Sequence, residues 1–112
     1  MGRISAPMRE VALVYTIVPS KQWAGKLSKL LLQKRLTGCV VTFPARSTYH
    51  WKGKVVNEKE YIILTKTAKR SVKKLIATVS KIHPYEVPCI IELSARANDT
   101  YVRWLERELK HP

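Results

Sequence analysis

Two strand–helix–strand patterns, one after the other, constrain this chain more than any other feature. Val11 to Val18 is an unbroken apolar, β-branched run closed by Pro19. It predicts a strand buried on both faces or nearly so. Ser20 can cap a helix, and Trp23, Leu27, Leu30 and Leu31 fall at i, i+4, i+7 and i+8, which is one helix face. Gly38 predicts a left-handed stop after that helix. Cys39 to Phe43 is a second strand, interrupted at Pro44 and resumed as an alternation. Ser47, Tyr49 and Trp51 take one face, and Arg46, Thr48, His50 and Lys52 the other. Gly53 predicts a bulge or close backbone approach, and Asn57-Glu58 a hairpin turn before a third strand, Tyr61 to Thr67.

The pattern then repeats. Val72, Leu75, Ile76, Val79 and Ile82 make an amphipathic helix whose outer face holds Lys69, Arg70, Lys73, Lys74 and Lys81 and no acid. Cys89 to Ser94 is the fourth strand. Asn98 is expected to cap a last helix with Tyr101, Trp104, Leu105 and Leu109 on one face and a Glu106–Lys110 pair. The order β-α-β-β-α-β plus a C-terminal helix specifies an α+β class, the ferredoxin-like split βαβ sandwich. The second and third strands are too long for a small sheet, so a hairpin spanning about residues 46–60 should overhang as an edge wanting a partner.

At 112 residues the chain makes one domain. Residues 1–9 read as a basic N-terminal tail and 10–110 as the domain. No apolar run approaches the ~20 residues of a membrane span, so no membrane partner is expected. The N-terminus lacks the apolar centre of a secretory signal, so a cytoplasmic location is expected. Its two cysteines, Cys39 and Cys89, read as free thiols there. Lys and Arg number 21 against 8 acids, a net charge of +13, which attracts polyanions.

Between the second helix and the fourth strand lies His83-Pro84-Tyr85-Glu86-Val87-Pro88-Cys89. Each proline drives the residue before it out of the α region, so the side chains between them are aimed. The stretch suits a binding site or a stiff structural connector equally.

Several strings resemble the CutA family of divalent-cation tolerance proteins. They are Leu36-Thr37-Gly38-Cys39-Val40, Tyr49-His50-Trp51-Lys52-Gly53-Lys54-Val55, Lys66-Thr67, His83 to Pro88, and Tyr101 with Trp104. The resemblance implies a ferredoxin-like homotrimer whose hairpins reach neighbouring subunits, with Tyr49, Trp51 and Gly53 at the interface. It also implies a non-enzymatic role in the tolerance of divalent cations, chiefly copper, with no metal needed for folding. Candidate ligands are then Cys39, His83, Glu86 and Cys89, with His50 a further imidazole. Two positions depart from the family pattern: Val41 stands where an Asn is usual, and Cys89 where an acid is usual. The second exchange replaces an oxygen donor by sulfur and favours softer metals.

Each candidate also has a plain structural role. Cys39 and Cys89 enter strands, where a thiol is often a small buried hydrophobe. His83 at a helix end can act as a cap. No spacing of the C-x-x-C or H-E-x-x-H kind is present. No nucleophile, base and orienting group form a recognisable set, so catalysis is not expected. Two other functions stay open. One is a regulatory trimer of the PII type, with a small ligand held between subunits near Lys66, Tyr85 and Glu86. The other is a basic nucleic-acid-binding module, although the third strand carries no RNP-type aromatic string.

Overall fold

The structure, a computed structural model, describes residues 7–109. The strands are β1 (Met8–Val18), β2 (Cys39–Trp51), β3 (Lys54–Thr67) and β4 (Ile90–Asn98). The helices are α1 (Lys21–Gln33), α2 (Lys69–Ile82) and α3 (Asp99–Glu108). The sheet is antiparallel in the order β2-β3-β1-β4, the arrangement of a split βαβ sandwich.

One face of the sheet is closed. Ala12, Val14, Thr16 and Val18 of β1 are fully buried, packed with Leu27 and Leu31 of α1 and Leu75 and Val79 of α2. Each large side chain withdrawn in this way contributes about 1.5–3 kcal/mol. The expected Ser20 cap of α1 and the core-facing stripes of both helices are present. The Ser20 hydroxyl accepts from the Trp23 N–H at 3.2 Å, and Val72, Leu75 and Val79 are buried. The stop of α1 differs from expectation. Arg35, not Gly38, takes the left-handed conformation at φ 57°. The Leu36 N–H reaches the Leu31 carbonyl at 3.1 Å and the Arg35 N–H reaches Leu32 at 3.0 Å, which closes the helix as a Schellman motif. Gly38 is required for another reason: a Cβ there would lie 2.9 Å from Leu105 Cδ1 and 3.2 Å from Glu108 Cβ.

The other face is covered only at one end. There α3 sets Val102 and Leu105 on Val11, with Ala95 and Ala97 alongside. Leu109 is buried as expected, but Val102 rather than Trp104 completes the stripe, and Trp104 lies 37% exposed at the helix edge beside Gly38. Glu106 meets Arg70 at 3.4 Å; Lys110 lies outside the described residues. Beyond α3 the face is open, so on that side of β1 only Val11 is buried while Leu13, Tyr15 and Ile17 are half-buried, less than expected. Register places Val41 beside Leu64 and Phe43 beside Ile62; Tyr15 lies between Leu64 and Ile91, and Leu13 faces Leu93. Val41, Phe43, Ile91 and Leu93 are 39–44% exposed on this face.

β2 and β3 pair from Cys39–Lys66 out to Trp51–Lys54, whereas β1 covers β3 only from Tyr61 to Thr67. The overhang expected near residues 46–60 therefore exists, and residues 54–60 of β3 have a strand on one side only. Its turn is not at Asn57-Glu58 but at Lys52-Gly53, with φ of 50° and 79°, as a two-residue hairpin requires. Asn57 sits inside β3, where its Nδ2 donates to Thr48 Oγ1 across the strands at 3.1 Å. Pro44 does not break β2, because β2 is an edge strand and the ladder on its one paired side survives. β1 also begins earlier than expected. Met8 and Arg9 pair with Asn98 and Ala97, so the tail boundary at residue 9 moves; residues 1–6 lie outside the described residues.

Candidate functional site

The stretch between α2 and β4 is bolted to the sheet through His83. Pro84 holds His83 extended, at φ −61° and ψ 135°, so α2 ends there and the ring turns toward β1. The Tyr85 backbone N–H points at His83 Nδ1, 3.1 Å away. A backbone N–H can only donate, so Nδ1 is the acceptor and the proton sits on Nε2. Nε2 lies 2.8 Å from the Ile17 carbonyl and 3.1 Å from Thr16 Oγ1. The Thr16 hydroxyl in turn donates to the Cys89 carbonyl at 2.6 Å. Burial holds the His83 pKa below its ordinary value, against the opposing effects of the Ile17 hydrogen bond and the Glu60 charge.

Tyr85 continues the chain of contacts. Its hydroxyl donates to Glu60, a carboxylate only 4% exposed at the root of the overhanging hairpin. Burial, and then that hydrogen bond and the charge of Glu60, push the phenol well above its usual pKa. Further out, the Tyr49 hydroxyl donates to Glu58 at 3.0 Å. Between the hairpin and the loop lies a cleft of about 520 Å³. Residues 47–51 of the hairpin form one wall, Tyr85, Val87 and Cys89 the other, with Ile17 and Glu60 completing the lining. The arrangement offers aromatic walls, a cysteine and a tyrosine–carboxylate pair, with His50 beside it. Nothing in it orients a base onto a nucleophile.

The residues singled out from sequence divide between the two ends of the open face. Tyr85, Cys89, Tyr49, Trp51 and His50 gather at the cleft. Glu86 is exposed and does not line it; Val87, at 67% exposure, does. Gly53 is at the hairpin turn. Cys39 and Lys66 lie opposite each other at the far end. There the Lys66 ammonium sits 5.4 Å from the Tyr101 ring, and burial together with the neighbouring Cys39 raises the Tyr101 pKa. Within one chain Lys66 therefore lies away from Tyr85; the cleft expected to bring them together is one between subunits. Nor do Cys39, His83, Glu86 and Cys89 converge. Cys39 opens one edge strand and Cys89 precedes the other, separated across the sheet by three strand spacings of ~4.8 Å and further along it, since Cys39 lies level with Leu93. Both His83 nitrogens are already engaged. Among the described residues no group of three or more His, Cys, Asp or Glu could hold a metal ion.

Glu60 and Thr16 were not singled out from sequence. Glu60 alternates with Ile62 and Leu64 along one face of β3, a carboxylate in an apolar register. That was its only signal. Thr16 sits inside a β-branched run and gave none.

Residues 12–108 match the family described as CutA1 divalent ion tolerance protein. The chain belongs to this family. It is 40% identical over 100 residues to the divalent-cation tolerance protein CutA of Thermus thermophilus, covering 88% of this chain and 95% of that one. Its likeness to the same-named protein of Thermotoga maritima is 38% over 98 residues, or 87% and 97% of the two chains. Among solved structures, CutA1 from Pyrococcus horikoshii superposes with a TM-score of 0.86 at 34% identity, covering 89% of this chain and 99% of that one. CutA from Synechococcus elongatus gives 0.88 at 25% identity over 93% and 96%. The ferredoxin-like α+β fold expected from the strand and helix order is thus the fold of CutA structures. The family is named for divalent-cation tolerance and not for a reaction.

Proposed function

We propose that this CutA-family chain serves divalent-cation tolerance as a homotrimer, without catalysis, and that it binds copper or a similar cation at the cleft under the overhanging hairpin. One observation carries the reading. The sheet's open face presents Val41, Phe43, Ile91 and Leu93 beside a hairpin whose β3 edge is unpaired over residues 54–60. A face and an edge left open together call for further copies of the chain. The residue types that support copper are His50 and Cys89, both among the residues lining the cleft. The described residues of one chain supply no three-donor set, so further donors would come from a neighbouring subunit. Sedimentation at micromolar concentration tests the assembly, with a trimer expected. Titration with Cu(II) and Zn(II) tests the ligand, comparing the intact protein with His50→Ala and Cys89→Ser. Saturable copper binding weakened in both variants is expected; no saturable binding in the intact protein sinks the metal role.

A second reading has its own observation. The cleft volume of about 520 Å³ and its Tyr49, Trp51 and Tyr85 walls also suit a small organic ligand. Metal binding that is unaffected by His50→Ala and Cys89→Ser would favour this alternative for the cleft.

A further inference from the structure

The two faces of the sheet differ in charge as much as in polarity. All 8 acidic residues of the chain lie outside α1 and α2. The outer surface of this helical layer therefore carries no acid of its own. Lys21, Lys26 and Lys29 are exposed on α1, and Lys73, Lys74 and Lys81 on α2. None of these six makes an ion pair among the described residues, whereas Lys69 is paired with Glu10. Both helices pack on the face of the sheet opposite α3 and the open apolar surface. Assembly through that open surface leaves the lysines facing solvent.

We propose that the outer face of α1 and α2 is a sequence-independent docking surface for the phosphate backbone of duplex DNA. The argument is charge complementarity together with what the face lacks. Helices of 13 and 14 residues span about 20 Å, over which B-DNA carries a charge every ~1.7 Å. Uncompensated lysines at that scale release condensed counterions when they meet such a lattice. Single-strand binding needs exposed aromatic platforms. Here the only aromatic of the two helices is Trp23, which is partly buried with Lys26 held 4.7 Å over its ring. Membrane docking needs a broad apolar wedge. Leu32 is the sole large hydrophobic exposed on these helices.

The test is fluorescence anisotropy with a labelled 24-base-pair DNA duplex of mixed sequence, at salt from 50 to 200 mM, using the full chain. Lys73→Glu with Lys74→Glu is compared with Arg103→Glu and Arg107→Glu, which sit exposed on α3 across the sheet. Both double variants lower the net charge from +13 to +9, so they separate the face from the total. Circular dichroism and sedimentation confirm that each variant is folded and assembled like the parent. We expect the α2 variant to bind at least tenfold more weakly at 100 mM salt. Its salt slope should be shallower by about 2, and the α3 variant should stay within threefold of the parent. Equal weakening by both variants overturns the proposal. So does equal affinity for a single strand of the same length, no duplex binding by the parent at 100 mM salt, or α2-dependent binding to phosphatidylserine vesicles in place of duplex.

Discussion

His83 donates its Nε2–H to the Ile17 carbonyl at 2.8 Å, and this bond fixes the end of α2 to the C-terminal end of β1. The same ring accepts the Tyr85 N–H at Nδ1, so the network is built for a neutral imidazole. A second proton would set an Nδ1–H against the Tyr85 N–H. The lowered pKa agrees, with burial its main cause.

Stability should therefore depend on pH in one direction. Above the unfolded-state value of about 6.5, His83 is neutral in both states and the network is intact. As pH falls from there toward the lower native pKa, the unfolded chain binds a proton that the native one does not, and stability is lost. Urea unfolding at fixed protein concentration should show a lower midpoint at pH 5 than at pH 7.5. In His83→Gln the part of that difference due to His83 should vanish. A midpoint shift as large in the variant as in the parent would remove His83 as its source.

Tyr85→Phe should destabilise the protein by about 1–3 kcal/mol, because it strips a hydrogen bond from a buried carboxylate. Glu60 is 4% exposed and its oxygen accepts from the Tyr85 hydroxyl. The effect should be smaller when Glu60→Gln is already present, since residues in one network are not additive. The raised Tyr85 pKa adds an alkaline signature. Above pH ~10 the unfolded chain releases the phenolic proton first, so stability falls as pH rises. Tyr85→Phe should blunt that fall. Equal stability of Tyr85→Phe and the parent in urea would show the hydrogen bond to be of no consequence.

Much of this fold follows from periodicity. Both helices facing the core, the order of the strands and the hairpin overhang are all present in the spacing of apolar residues. The errors came where local chemistry has two readings. Asn57-Glu58 has turn composition, but cross-strand bonds to Thr48 and Arg46 satisfy Asn57 inside a strand. The real turn puts Lys52 at positive φ, which its residue type does not advertise. Gly38 looked like a helix stop, yet it is a glycine because α3 lies on it, and α3 comes from the far end of the chain. The candidate site was half legible. His83 and Tyr85 stand out in a rigid loop, whereas their partners are the Ile17 carbonyl, Thr16 and Glu60, joined to them only by tertiary structure.

The open face yields a test of assembly. Phe43, 41% exposed and in register with Ile62, lies on it at the edge strand β2. Trp51, 38% exposed, stands at the far end of the overhang beside the turn. Phe43→Asp would place a charge in the contact and should shift the protein to monomer in sedimentation at micromolar concentration. Trp51→Ala, which only removes area, should weaken the assembly without abolishing it. An unchanged sedimentation profile for Phe43→Asp would mean that this face is not the contact.

Two glycines give opposite predictions from one substitution. Gly25 lies in α1 with nothing within 4 Å of an added Cβ. Gly25→Ala should stabilise the chain by about 0.5–1 kcal/mol, because alanine restricts the unfolded chain and suits a helix interior. At Gly38 the added carbon would meet Leu105 Cδ1 at 2.9 Å and Glu108 Cβ at 3.2 Å. Leu105 is fully buried, so its Cδ1 cannot swing out into solvent, and Glu108 Cβ moves only with the helix. Relief then requires α3 to lift from the sheet, loosening Val102 and Leu105 on Val11. The expected cost is about 1–3 kcal/mol, the range for overpacking a core. Thermal unfolding of the two variants beside the parent decides the matter. A Gly38→Ala protein as stable as the parent would mean that α3 is not held at the distance that makes Gly38 necessary.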